Sequence, residues 1–93
     1  MQLEDAVARW RAGHASSPDL LLDEVLRACE QIRVQPHSGT MYGMDGQQLV
    51  RRVLCVTTAY FVYYVVADDG PWVVDVWSAR RGRGPRYQRG RLS

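Results

Sequence analysis

The residues of this chain that are best suited to chemistry are arginines and tyrosines, most of them close to its C-terminal end. All 12 Lys+Arg positions are arginine, the cation that binds phosphate and carboxylate groups through two parallel hydrogen bonds. The arginines and tyrosines that stand out are Arg52, Arg80, Arg81, Arg83, Arg86, Tyr63 and Tyr87. Arginines can hold a phosphate, and a tyrosine can position or deprotonate a ribose hydroxyl. Together these groups could cleave RNA without a histidine. The same side chains are also the usual hot-spot residues of a protein interface.

Other chemistries have little support in the sequence. The two histidines, His14 and His37, fall in loop-like segments, and neither a nucleophile motif nor a phosphate-binding glycine loop with a lysine is present. Cys29 and Cys55 are isolated from each other, which is typical of buried free thiols rather than of a disulfide framework or a zinc site. We therefore expect no metal and no cofactor. Residues 82–84 (Gly-Arg-Gly) form either a small anion-binding nest or a flexible exit from the sheet.

Charge is distributed unevenly along the 93 residues, which form one small domain. Residues 78–93 hold six arginines and no acid, and residues 1–77 hold six arginines against ten acids, a net charge of −4. A basic C-terminal tail, residues 80–93, indicates a nucleic acid or an acidic protein as partner, with a solvated terminus as the alternative. No apolar run is long enough to cross a bilayer and no secretory signal is present, so we expect a cytoplasmic protein with no membrane partner.

Two helices followed by three strands are predicted to position these residues. Apolar stripes and Pro36 predict a helical hairpin over residues 2–34, with the second helix beginning at about Pro18. Residues 35–46 contain three glycines and no periodicity, which predicts an irregular connection. An antiparallel sheet over residues 47–79 follows, with strands at about 48–56, 60–67 and 72–79. Helices first and strands afterwards indicate an α+β fold.

Strand parity assigns side chains to the two faces of this sheet. An unpaired carboxylate under the helices would be costly, so the side of Asp75 is predicted to be the open face. The residues expected on the open face are Arg52, Phe61, Tyr63, Val73, Trp77 and Arg81. The residues expected to pack against the helices are Val53, Tyr64, Val66, Val74 and Val76.

The pattern from about residue 4 to residue 87 resembles the RelE/ParE superfamily of type II toxin–antitoxin modules, and most closely its ParE-like plasmid stabilisation toxins. The matching runs are Ala8-Arg9-Trp10-Arg11, Ser17-Pro18-Asp19-Leu20-Leu21, Val50-Arg51-Arg52-Val53-Leu54, Tyr60-Phe61-Val62-Tyr63-Tyr64, and Val76-Trp77-Ser78-Ala79-Arg80-Arg81-Gly82-Arg83-Gly84-Pro85. The resemblance implies a helical hairpin packed on one face of a three- to four-stranded antiparallel sheet. It also implies a toxin that a cognate antitoxin neutralises. ParE-like toxins poison DNA gyrase, and RelE-like toxins cut messenger RNA on the ribosome.

Site residues follow from the resemblance position by position. In a RelE-like nuclease Arg52, Arg81 and Tyr87 would be catalytic, although Leu54 and Phe61 stand where such enzymes carry further basic groups. ParE-like relatives often have histidine at the positions of Phe61 and Ser78. The residues expected to bind a target or partner are Arg51, Arg52, Phe61, Tyr63, Trp77, Arg80, Arg81, Arg83 and Arg86.

Family members usually open with a short strand, and this chain starts within the first helix. Either a sheet edge is then unpaired, which predicts a homodimer or a toxin–antitoxin hetero-oligomer, or the start codon is misassigned. A degenerate relative acting only as an interaction module is a further alternative.

Overall fold

Two helices open the chain in a computed structural model that describes residues 1–87. Helix α1 spans Leu3–Gly13 and helix α2 spans Leu20–Val34. The connection between them is held by a hydrogen bond of 2.9 Å from the Trp10 Nε1–H to the Ser17 carbonyl. Asp19 precedes α2 but its carboxylate does not cap the helix; it pairs instead with Arg11 across the connection at 2.8 Å.

Four strands follow in a single antiparallel sheet with the order β1-β2-β3-β4. They are β1 (Thr40–Asp45), β2 (Gln48–Cys55), β3 (Tyr60–Ala67) and β4 (Gly70–Ser78), and a 3-10 turn over Ala79–Arg81 ends the sheet. The predicted α+β fold, a helical pair on an antiparallel sheet, is confirmed. The irregular connection predicted for residues 35–46 is wrong over residues 40–45, which form β1. A bulge between Met41 and Gly43 breaks the alternation there, so the strand has no period of two to recognise.

One face of the sheet packs against both helices and forms the main core. Its buried members are Ala6, Val7, Trp10, Leu21, Val25, Ala28, Ile32, Cys55, Tyr60, Val62, Tyr64 and Val76, with Val53 and Val66 packed beside them. Four of the five strand residues expected beneath the helices are therefore there. The fifth, Val74, packs on the opposite face. The β3–β4 register shifts at Tyr63/Tyr64, where β4 carries an extra residue, and this bulge reverses the side to which Val74 points. The prediction of Val73 on the open face is wrong for the same reason, because Val73 pairs with Tyr64 of the main core.

The turn between β2 and β3 is fixed by a carboxylate on α2. Glu24 accepts hydrogen bonds from the backbone N–H of Thr57 at 2.8 Å and from the N–H and hydroxyl of Thr58 at 2.9 and 2.7 Å. Thr58 is 2 % exposed, so its N–H and hydroxyl have little access to water, whereas Thr57 is exposed. This carboxylate links the helical layer to the end of the sheet that carries Phe61.

The outer edge of β4 is occupied by the residues that precede α1. The Met1 carbonyl accepts a hydrogen bond of 2.9 Å from the Val76 N–H, and the Met1 ammonium pairs with Asp75 at 2.7 Å. Pro71 and the bulge at Val74 also interrupt the row of free backbone groups on this edge, both common means of blocking further pairing. Within residues 1–87, no helix is long and apolar enough to cross a membrane.

Candidate functional site

Arginines and aromatic rings gather on the sheet face opposite the helices, which we call the outer face. Phe61 of β3 and Trp77 of β4 are direct cross-strand partners on this face. The Arg52 guanidinium of β2 lies over the Phe61 ring, 4.0 Å from its centroid. The Arg81 guanidinium, from the 3-10 turn, lies 5.1 Å from the Trp77 ring centroid. Two arginines that are distant in sequence are therefore held on one face by neighbouring rings, in cation–π geometry.

A cleft of about 410 Å³ opens beside Arg52. It is lined by Tyr42, Arg52, Phe61, Tyr63, Ser78, Ala79, Gly82, Arg83 and Gly84. None of these residues carries a carboxylate, and neither Arg52 nor Arg83 has an ion-pair partner among the residues that the structure describes. The cleft is consequently a region of positive potential that favours an anion.

The outer face is not bare, because the chain folds back across it after the sheet. Gly82 adopts a left-handed conformation (φ 74°) that reverses the direction of the chain, and residues 82–87, which we call the C-terminal segment, then lie against the face. The Pro85 carbonyl accepts a hydrogen bond of 2.7 Å from the Tyr42 hydroxyl. The Tyr87 hydroxyl donates to Asp75 at 2.5 Å. The predicted basic tail therefore begins as a docked segment, and its last six residues, 88–93, lie outside the part of the chain that the structure describes.

The C-terminal segment changes the status of Tyr63, which was expected to be an exposed ring. Tyr63 is 1 % exposed and belongs to a second small core with Val50 and Val65. The approach is close: a Cβ atom on Gly84 would lie 2.6 Å from the Tyr63 hydroxyl oxygen and 2.8 Å from that of Tyr42. Glycine at position 84 is thus a steric requirement for docking of the segment.

Two tyrosines of the outer face are held in their protonated form. Burial raises the pKa of Tyr87, and the hydrogen bond to Asp75 with its negative charge raises it further. Burial also raises the pKa of Tyr63, against a smaller lowering by Arg52. A phenol that resists ionisation is a poor general base at neutral pH.

Alkaline pH is expected to destabilise the protein through Tyr87. Because its pKa is higher in the folded than in the unfolded state, its stabilisation is complete below the ordinary value of 10.0 and is lost as the pH rises from there through the folded pKa. The free energy of unfolding, measured by chemical denaturation at successive pH values, should therefore decline above pH 10, and this decline should be smaller in Tyr87→Phe. Tyr60→Phe is the control, since the Tyr60 hydroxyl has no hydrogen-bond partner within residues 1–87. An equal decline in all three proteins would contradict this assignment.

Not every predicted site residue reaches the cleft. Arg51 points to the opposite side of the sheet, where its Nη1 donates to the carbonyls of His37 at 3.1 Å and Gly39 at 2.9 Å. Arg80 and Arg86 are exposed and do not line the cleft. The structure thus brings together Arg52, Phe61 and Arg83 at the cleft, with Trp77 and Arg81 beside them, and leaves Arg51 apart.

The two cysteines and His14 lie outside the cleft and pack against neighbouring residues. Burial raises the pKa of the Cys55 thiol to about 12, and burial also raises that of Cys29, so neither is a ready nucleophile. His14 stacks on the Trp10 ring with centroids 3.5 Å apart, and its Nδ1 lies 2.9 Å from the Trp10 carbonyl oxygen. Among residues 1–87, no three histidine, cysteine or acidic side chains are grouped to hold a metal ion.

Sequence reasoning missed two residues that shape the site. Tyr42 forms one wall of the cleft and its ring lies 5.0 Å from the Arg52 guanidinium, but it falls on β1, which was not predicted. Asp75 was expected only as a marker of the open face, whereas its carboxylate anchors Tyr87. The Thr-Met-Tyr run that begins β1 has β-propensity and would have been the one usable signal.

No protein-family model, no curated protein and no solved structure matches this chain. Its function is therefore inferred from the side chains of the outer face and from the sequence motifs that lie on it.

Proposed function

We propose that this chain is the toxin of a type II toxin–antitoxin module, ParE-like, which binds a cellular target such as DNA gyrase and is neutralised by a cognate antitoxin. The observation that carries this proposal is the cluster of Arg52 over Phe61 and Arg81 over Trp77 on the face that the helices leave uncovered. Arginine and aromatic side chains held rigid at a surface are the usual anchors of protein interfaces. Partner binding is the function that this arrangement supports best.

Three of the five motif runs behind the family resemblance lie on the elements that build this face. Residues 50–54 belong to β2 and residues 60–64 to β3. Residues 76–85 cover the end of β4, the 3-10 turn and the start of the C-terminal segment. The other two runs, residues 8–11 and 17–21, lie on α1 and at the start of α2. A toxin of this class acts through surface contacts, and three of the five matching runs lie on the elements that form the outer face.

Binding is favoured over RNA cleavage by the surroundings of the tyrosines. The nuclease hypothesis needs Tyr87 beside Arg52 and Arg81 to accept or position a proton. Tyr87 instead donates to Asp75, and its pKa is raised by burial and by that carboxylate. With Tyr87 occupied in this way, the outer face offers anchoring groups rather than an acid–base pair.

Expression in a bacterial host tests the proposal. Induction should arrest growth with gyrase-linked DNA breaks and an SOS response, while messenger RNA stays intact. Arg52→Ala and Arg81→Ala should each relieve the arrest and weaken binding to purified gyrase about tenfold or more, as expected of interface anchors. Arg33→Ala is the matched control, because Arg33 is exposed on α2 and paired with Glu30.

The outcomes separate the hypotheses. Cleaved transcripts with an unbroken chromosome would favour the RelE-like nuclease. Full toxicity of both Arg52→Ala and Arg81→Ala would remove the outer face from the mechanism. Growth that is unaffected by the wild-type protein would leave only a non-toxic interaction module.

A further inference from the structure

We propose that the cleft beside Arg52 is a binding site for the carboxylate of an acidic segment of a partner protein, and that the docked C-terminal segment completes it. The proposal rests on the proposed function for the nature of the partner, which would be the neutralising antitoxin. It adds the chemical group that is recognised and the part of this chain that must be in place.

Arg52 supplies the first half of the site. Its guanidinium lies over the rings of Phe61 and Tyr42, contacts that use its charge but satisfy none of its N–H donors. Its only polar contact within residues 1–87 is to the Tyr63 hydroxyl at 3.5 Å, a long and weak hydrogen bond. A half-buried guanidinium with unused donors and no carboxylate partner is suited to accept a two-oxygen anion from outside.

The end of β4 and the C-terminal segment supply the second half. Arg83 lines the same cleft and has no ion-pair partner among the described residues. The Ser78 hydroxyl accepts a hydrogen bond of 3.2 Å from the Arg80 N–H, which leaves its own O–H free to donate into the cleft. Two cations and a hydroxyl thus surround a space of about 410 Å³, enough for the end of one acidic side chain.

The state of the rings favours a protein carboxylate over a nucleic acid. Proteins that bind single-stranded RNA or DNA offer exposed ring faces on which bases stack. Here Tyr63 is 1 % exposed, and Arg52 already lies over Phe61 and Tyr42. A glutamate side chain needs no stacking surface, and its methylene groups suit an aromatic wall.

The C-terminal segment must be docked for the site to exist. Arg83 and Gly84 belong to this segment, which is held by the Tyr42–Pro85 and Tyr87–Asp75 hydrogen bonds. Gly84→Ala would place a Cβ atom within 2.6 Å of the Tyr63 hydroxyl oxygen and lift the segment. The same substitution changes no residue of β2, so it tests the segment's contribution with the Arg52 side chain still present.

The test is a titration with an acetylated and amidated Leu-Glu-Leu tripeptide, followed by the side-chain N–H signals of the arginines in NMR spectra. The Arg52 and Arg83 signals should shift and saturate. The uncharged Leu-Gln-Leu peptide should bind at least about tenfold more weakly, because it lacks the second oxygen and the charge. Arg52→Lys, which keeps the charge but not the fork, and Gly84→Ala should each weaken binding by a similar factor. Arg33→Ala should bind as the wild type does, and the dispersion of the amide signals shows that each variant is folded.

Several results would overturn the proposal. Equal binding of both peptides, or shifts spread over all arginines, would show charge attraction without a site. Tighter saturation of the same signals by a six-nucleotide RNA would assign the cleft to nucleic acid. Unchanged binding by Gly84→Ala would remove the C-terminal segment from the site. If the Leu-Glu-Leu peptide does not bind but expression of the protein arrests growth, the carboxylate site alone is rejected. If the peptide binds specifically but expression does not arrest growth, toxicity alone is rejected.

Discussion

Replacing Gly39 with alanine is expected to lower the free energy of unfolding by about 3 kcal/mol. The added Cβ atom would lie 2.5 Å from the Tyr64 hydroxyl oxygen and 2.8 Å from its Cε1. Tyr64 is fully buried, donates a hydrogen bond to the Pro36 carbonyl at 2.7 Å and accepts one from the Gly39 N–H at 2.9 Å. The ring cannot move aside without breaking both bonds. Urea denaturation measures the change.

Gly43→Ala is the matched control for this substitution. Gly43 lies in β1, and apart from its chain neighbours no heavy atom of residues 1–87 lies within 4 Å of its added Cβ. The free energy of unfolding of Gly43→Ala should differ from that of the wild type by less than about 0.5 kcal/mol, as for other unconstrained surface positions. A similar loss in both variants would mean that Tyr64 and Gly39 do not form the tight contact described.

Removing the Glu24 side chain is expected to have the second largest effect on stability. Glu24→Ala would leave the buried N–H and hydroxyl of Thr58 without partners and remove the bond to the exposed Thr57 N–H, which costs about 2 kcal/mol. Glu30→Ala on the same helix should change stability much less, because it removes only an exposed ion pair with Arg33, which solvent screens. Thermal or urea unfolding of the two variants gives the comparison, and equal losses would contradict a special role for Glu24.

The contribution of Glu24 should also depend on pH. Desolvation raises its pKa, but the hydrogen bonds from Thr57 and Thr58 together outweigh this and lower the pKa below its ordinary value of 4.5. A carboxyl group with a lowered folded-state pKa stabilises fully above the unfolded value and loses its effect as the pH falls through the folded pKa. The stability difference between the wild type and Glu24→Ala should therefore shrink below pH 4.5. A difference that stays constant on acidification would show that the carboxylate charge is not involved.

The helices and the strands after residue 47 were predictable because their apolar residues repeat with a simple period. The stripe through Leu3, Val7 and Trp10 on α1 needs no knowledge of its partner, and it packs against the sheet as expected. Both errors in the sheet come from bulges. One hides β1 at Tyr42, and the other reverses the sides of Val73 and Val74. A bulge adds a residue without a sequence signature, so parity fails beyond it.

The site was predictable to the same limited extent. Parity placed Arg52, Phe61 and Trp77 on one face, because the β2–β3–β4 pairing around them is regular. The fold-back of residues 82–87 was not predictable. It depends on contacts with partners far away in sequence, such as Tyr42 with Pro85, and the segment has no periodicity of its own.

The exposed start of the C-terminal segment has a consequence for proteolysis. Arg81 and Arg83 are exposed and flank Gly82, so a trypsin-like protease meets two arginine–glycine bonds at the point where the chain leaves the sheet. A single cut there would separate the last 12 or 10 residues from a domain that keeps both helices and all four strands. The trimmed domain would expose Val50, Tyr63 and Val65 to water, an apolar patch prone to self-association. Cleavage at one arginine would thus make the remaining domain prone to aggregation.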